Sequence, residues 1–218
     1  MGKIIKKKIS PRQKMINLMY VVLMAMLALN VSSDVLKGFE IVDEKLTLST
    51  ENSARVNDEL YKRFEQQYSA NPTKVKVWYV KAQEVRGMTD SLYTLLEDLK
   101  VEIVKKTDGK DADVRNIKRK EDLEAATQVM LAPAIGRGQE LHDAIESYRG
   151  CIVGMLADEV QRELVKSNLN TDVPIEAKIM GKNWQEYMFE SMPTAAAVTL
   201  LTKLQNDIRY AEGQVLND

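Results

Sequence analysis

The sequence holds one cysteine and one histidine in 218 residues, and each scarcity removes a class of chemistry. A single cysteine closes no internal disulfide, so stability must come from packing. A single histidine, with no cysteine cluster beside it, leaves no ligand set for a zinc centre. It also leaves almost nothing from which to build a Ser–His or Cys–His nucleophile pair. Aromatics are 6% of the chain, with ten glycines and five prolines. Strand-rich sandwiches use more aromatic and turn residues than that, so the balance favours helices. No phosphate-binding glycine loop is present, because Gly136 and Gly138 lack the remainder of any such pattern. The formal charge of −1 excludes the strongly basic balance of a nucleic-acid binder. At 44% hydrophobic and 29% charged, the chain is also unlike a disordered one.

One further absence is local. No acid occurs before Asp34, whereas Lys3, Lys6, Lys7, Lys8, Arg12 and Lys14 give residues 1–33 a charge of +6. Residues 34–218 keep 25 basic and 32 acidic side chains, or −7. Directly after Lys14 comes Met15–Val31, an uncharged run of 17 residues. As a helix it is about 25 Å long, and Arg12 to Ser33 brings it to roughly 33 Å, enough for a hydrocarbon core of about 30 Å. The pattern predicts a cytoplasmic basic segment at 1–13, a transmembrane helix at 14–33 and an external domain at 34–218, oriented by the positive-inside rule. A cleaved signal peptide competes, with Val31-Ser32-Ser33 as a loose cut site. The length of the run and the Asn17 and Tyr20 inside it favour an uncleaved anchor.

The polar residues of this segment are the candidate functional ones: Arg12, Lys14, Asn17, Tyr20 and Asn30. Arg12, Ile16 and Tyr20 climb one helix face, and Asn30 returns to the azimuth of Arg12. Arg12 reads either as a snorkelling topology anchor or as the ion-pair partner of an acid on another membrane helix. Tyr20 sits at mid-depth, away from the interfaces where membrane tyrosines gather, so its hydroxyl calls for a partner helix.

Beyond Asp34 helical spacing dominates. Leu36, Phe39, Val42 and Leu46 show it, as do Val56, Leu60 and Phe64, and then Val85, Met88, Leu92, Leu95, Leu96, Leu99 and Ile103. Asn71-Pro72 marks a helix start. Thr107–Lys120 reads as a polar loop, and further helices are expected over Glu121–Leu131, Gly136–Lys166 and Ala195–Gly213. The fold class is all-α: one membrane helix followed by a helical bundle. His142, Asp143 and Glu146 share helical spacing but read as a solvated face. Cys151, between Gly150 and Gly154, reads as a buried small residue at a close helix contact. Trp184, Tyr187, Phe189 and Met192 read as a core cluster. No catalytic residue, cofactor or metal is expected, and the chain is not expected to be an enzyme.

The segment SPRQKMINLMYVVLMAMLALNVSSDVLKGF, residues 10–39, strongly resembles the GldM/PorM family, and MPTAAAVTLLTKLQNDIRYAE at 192–212 supports the same likeness. These are inner-membrane subunits of the gliding-motility and type IX secretion machinery of Bacteroidetes. The resemblance implies a homodimeric motor subunit driven by proton motive force, its helices inside a ring of GldL/PorL-type subunits. Arg12 matches the family's membrane arginine, proposed to pair with a partner glutamate, and Tyr20 matches its membrane tyrosine. Further periplasmic and outer-membrane secretion components are implied as partners. Family members carry additional β-rich domains, so the sequence is expected to be the first part of a longer protein. A non-motor membrane anchor, scaffolding secretion partners, is the competing expectation.

Overall fold

The structure, a computed structural model, describes residues 10–29 and 32–218. Residues 1–9, and with them most of the basic segment, lie outside the described residues, as does Asn30. Among the described residues every regular element is helical. They are α1 (Pro11–Leu29), α2 (Ser33–Ala70), α3 (Pro72–Asp108), α4 (Glu124–Leu131), α5 (Gly138–Met155), α6 (Glu159–Asn168), α7 (Ile175–Ile179), α8 (Trp184–Phe189) and α9 (Thr194–Asn217). A 3₁₀ turn, Gly109–Asp111, follows α3.

Two long helices, α2 and α3, form a hairpin around a single residue. Asn71 closes α2 by donating its backbone N–H to Gln67 at 2.9 Å. Its side chain then accepts from the Lys74 N–H at 3.4 Å, with Pro72 in the first helical position. That is the start signal expected at this dipeptide. Near the tip, Tyr68 and Tyr79 stack at 4.4 Å. At the other end Ser32 caps α2, accepting from the Asp34 N–H, and Asp34 sits favourably at the positive end of the helix.

The core lies along α3. Val85, Leu92, Leu96, Leu99 and Ile103 are all at most 4% exposed, with Met88 and Leu95 on the margins of the same stripe. Each such burial is worth about 1.5–3 kcal/mol. Against this stripe pack α9, through Leu201, Leu204 and Ile208, and α5, through Leu141, Ile145 and Ile152. The helix α9 runs parallel to α2 and antiparallel to α3. Thr199 donates to the Phe39 carbonyl, Asn206 reaches Ser49, and Asn57 reaches Arg209, so both helices climb together.

Several expectations need correction. Cys151 is exposed, and Cβ atoms built on Gly150 or Gly154 would meet nothing within 4 Å. The buried face of α5 is set by Leu141, Ile145, Tyr148 and Ile152, a register that turns Cys151 and both glycines outward. The single helix expected over 136–166 is broken at Leu156–Asp158, where Asp158 caps α6 by accepting from the Val160 and Gln161 N–H groups. The loop after α3 starts later than expected and is tied down: Asp108 accepts from the Lys118 and Arg119 N–H groups, and Ile117 packs on Val104 and Val198. In the aromatic cluster Trp184 and Phe189 are buried edge to face at 6.0 Å, Met192 is half-buried, and Tyr187 is exposed. Val42 and Val56 keep their helical register but face outward.

Candidate functional site

The predicted residues fall on α1. Its first four residues are Pro-Arg-Gln-Lys, and thereafter it is uncharged to Leu29. The apolar side chains are exposed all round: Leu18 by 65%, Val21 by 65% and Met24 by 63%. From Met15 to Met24 these apolar side chains are exposed, a pattern that favours a nonpolar environment or partner helices. No helix among the described residues is long and apolar enough to cross a membrane. In α1 the polar first turn takes up part of the 19 residues.

The structure places Arg12, Lys14, Asn17 and Tyr20 on this helix, all of them exposed. Asn17 accepts a hydrogen bond from the Gln13 amide at 3.3 Å. Among the described residues no carboxylate approaches Arg12 and no group meets the Tyr20 hydroxyl. The four are therefore brought together only by sharing α1, and Asn30 lies outside the described residues.

Within the bundle the sequence reading missed three buried charges: Asp207, which pairs with Lys203 one turn away, and two that sit in hydrogen-bonded clusters, Glu212 and Lys100. Glu212, fully buried on α9, accepts from the Tyr61 hydroxyl at 2.7 Å, from the Asn57 amide at 2.8 Å and from Arg209 at 3.0 Å. Arg209 also pairs with Asp90 at 3.0 Å and lies over the Tyr93 ring at 4.9 Å. Burial, reinforced by the Glu212 charge and its hydrogen bond, pushes the Tyr61 hydroxyl far above the usual phenol range. Two turns earlier Lys100 pairs with Glu97 at 3.0 Å and donates to Gln205 at 2.7 Å, and Gln205 donates back to Glu97 at 2.9 Å. Burial opposes the charge on Glu97, but these hydrogen bonds outweigh it and hold the carboxyl below its usual range. The first cluster joins α2, α3 and α9, and the second joins α3 and α9. Most of their donors and acceptors are matched, the buried Arg209 Nε being the exception, and they help to fix the register of the bundle.

The remaining chemical candidates dissolve in the same way. His142 pairs with Asp143 at 3.0 Å and tilts against Trp184 at 5.7 Å, whereas Glu146 turns away to Arg149 and Thr171. Among the described residues no group of three His, Cys, Asp or Glu side chains is placed to hold a metal ion.

Comparison with known proteins adds the family. No curated protein matches the chain. The family model of the GldM N-terminal domain matches residues 34–218, starting with the first acid of the sequence and covering α2 to α9. A match over the entire bundle establishes that the chain belongs to the GldM family.

Proposed function

We propose that this chain is the membrane-anchored subunit of a rotary motor powered by proton motive force. It would work as a homodimer in the bacterial inner membrane and transmit torque or conformational energy through the periplasm to type IX secretion and gliding motility. Membership of the GldM family supports a place in the gliding-motility and type IX secretion machinery, whose GldM component is a machinery subunit and not a known enzyme. The observation that carries the motor reading is α1, uncharged and mostly apolar after Lys14 and cationic at its start, in a segment without a single acid before Asp34.

Under this reading residues 14–33 span the membrane, residues 1–13 are cytoplasmic and residues 34–218 are periplasmic. An arginine keeps its charge at every physiological pH, so Arg12 supplies a fixed cation and not a proton site. The titrating carboxylate comes from the partner ring of the GldL/PorL kind. Facing Arg12 that acid stays ionised, and facing lipid it takes up a proton. Turning the inner helices past successive acids couples protonation to position, and each charge crossing 100 mV contributes about 2.3 kcal/mol. Tyr20, Asn17 and Asn30 offer hydrogen bonds to the surrounding helices. The test is Arg12→Ala at unchanged protein level. Secretion and gliding should be lost, and full activity would refute the ion-pair mechanism.

The position of Arg12 in the first turn of α1 also suits a snorkelling anchor. In that second reading the chain is a scaffold without a motor. Purification in mild detergent separates the two, since a motor subunit must bring a multi-span partner with it in stable stoichiometry.

A further inference from the structure

Between α2, the pinned loop at 114–117 and the first turns of α9 runs an open groove of about 630 Å³. Its floor is apolar and rigid. Val198 and Ile117 are buried there against Val104, and the loop that carries Ile117 is held by the Asp108 carboxylate. The α2 wall has two adjacent ridges. Ile41 and Leu48, one i,i+7 step apart, are about half exposed. Beside them Glu40, Glu44 and Glu51 follow at i, i+4 and i+11, a ridge about 16 Å long.

Of the ridge acids only Glu40 is firmly paired within the chain. Glu40 pairs with Lys120, but Glu44 meets only its neighbour Lys45 at 3.9 Å with both side chains in solvent. Such a pair is worth little. Glu51 has no ion pair among the described residues. Asp43, which also lines the groove, keeps one carboxylate oxygen out of solvent with no hydrogen-bond donor. A buried acceptor without a donor costs free energy until one is supplied. Lys37 and Arg115 are the cations on the lining, against four acids.

We propose that this groove docks a basic amphipathic segment of a partner protein, about three helical turns long, with apolar side chains on Ile41 and Leu48 and flanking Lys or Arg on Glu44 and Glu51. The apolar floor and the acidic ridge each select one part of that chemistry. The inference goes beyond the motor reading and stands whether or not α1 turns.

The test uses the full chain in cells, with a photo-crosslinking amino acid in place of Leu48 and, as a control, in place of the exposed Ile179. Adducts formed at position 48 are digested and the joined peptide is sequenced by mass spectrometry. The proposal expects a peptide with Lys or Arg flanking apolar residues, absent from the Ile179 control. The adduct should fall by about tenfold or more in Glu44→Lys/Glu51→Lys, whose thermal unfolding is measured alongside to establish an intact fold. A joined peptide from a second copy of this chain, an adduct with lipid, no adduct, or one indifferent to charge reversal in a folded variant would each overturn it.

Discussion

Replacing Glu212 by alanine tests the claim that the buried charge circuit, and not only apolar packing, locks α2 onto α9. The carboxylate is fully buried and receives three donors: Tyr61, Asn57 and Arg209. Asn57 retains a second acceptor, the Arg209 carbonyl at 2.9 Å, and Arg209 retains Asp90. The Tyr61 hydroxyl, 2% exposed as a residue, keeps nothing. Breaking a buried pair by removing one partner costs about 3–5 kcal/mol, and here a weakened hold on Arg209 combines with the orphaned Tyr61 hydroxyl. For a domain of this size each kcal/mol moves Tm by about 2–4 °C, so Glu212→Ala should lower it by about 6–20 °C. Tyr61→Phe alone removes one hydrogen bond to a charged group, a loss of about 1.5–3 kcal/mol. It leaves the Arg86 guanidinium over the ring at 4.8 Å. Circular dichroism melts of the two single variants and the double variant close the cycle. The double variant should lie well short of the sum, since Tyr61 has nothing to bind once Glu212 is gone. A Tm loss below about 3 °C for Glu212→Ala, or additivity within about 0.5 kcal/mol, would show that the circuit does not carry the register.

Acid should find a second weak point at Asp122. Its partial burial disfavours charge, but Thr107, the N–H groups of Glu124 and Ala125, and Arg119 together hold the carboxyl below its usual range. A depressed folded value stabilises the domain fully above the unfolded value of about 3.9 and loses that contribution as pH falls through the folded one. Asp122→Asn should therefore flatten the decline of Tm below pH 4, and an unchanged slope would discount the residue. Gly136→Ala should cost about 1–3 kcal/mol in urea unfolding, because a Cβ there would lie 2.7 Å from the Met130 carbonyl and 2.8 Å from the backbone of Ala132, atoms that cannot swing aside. A neutral effect would mean that the Ala132–Gly136 turn yields more easily than its hydrogen bonds suggest.

Local signals carried much of the architecture. The stripe from Val85 to Ile103 is helical because its period is, and the Asn71-Pro72 start follows from one cap and one fixed φ. The Val75–Val80 run is helical despite its β-branched residues, since among the described elements no strand could pair with it. What periodicity could not supply was the partner of each face. Cys151 has apolar neighbours, but burial on α5 is decided by register, and Cys151 stands one position off Ile152. Glu212 gave a signal that went unread. It continues the Leu201, Leu204, Ile208 stripe, and a carboxylate in a core register announces buried donors elsewhere in the chain. Those donors, Asn57 and Tyr61, are more than 150 residues away in sequence. The groove acids likewise look like an ordinary solvated helix face until α9 and the loop at 114–117 arrive beside them. On α1, Arg12 at the edge of the apolar run and Tyr20 within it stand out from the sequence alone, and their role is a proposal that the bundle does not bear on.

The single-sided brace on α2 has a mechanical consequence. Over its 38 residues the helix is about 57 Å long. The polar clamps from α9 bind it at Phe39, Ser49 and Asn57, and they end near Tyr61. Past that point it runs beside α3, fastened near the tip by the Tyr68–Tyr79 stack. It is thus a cantilever with a stiff shank and a lighter free end. A tilt of about 10° at Ser33 would sweep Ala70 through about 10 Å, with little of the motion spent in bending.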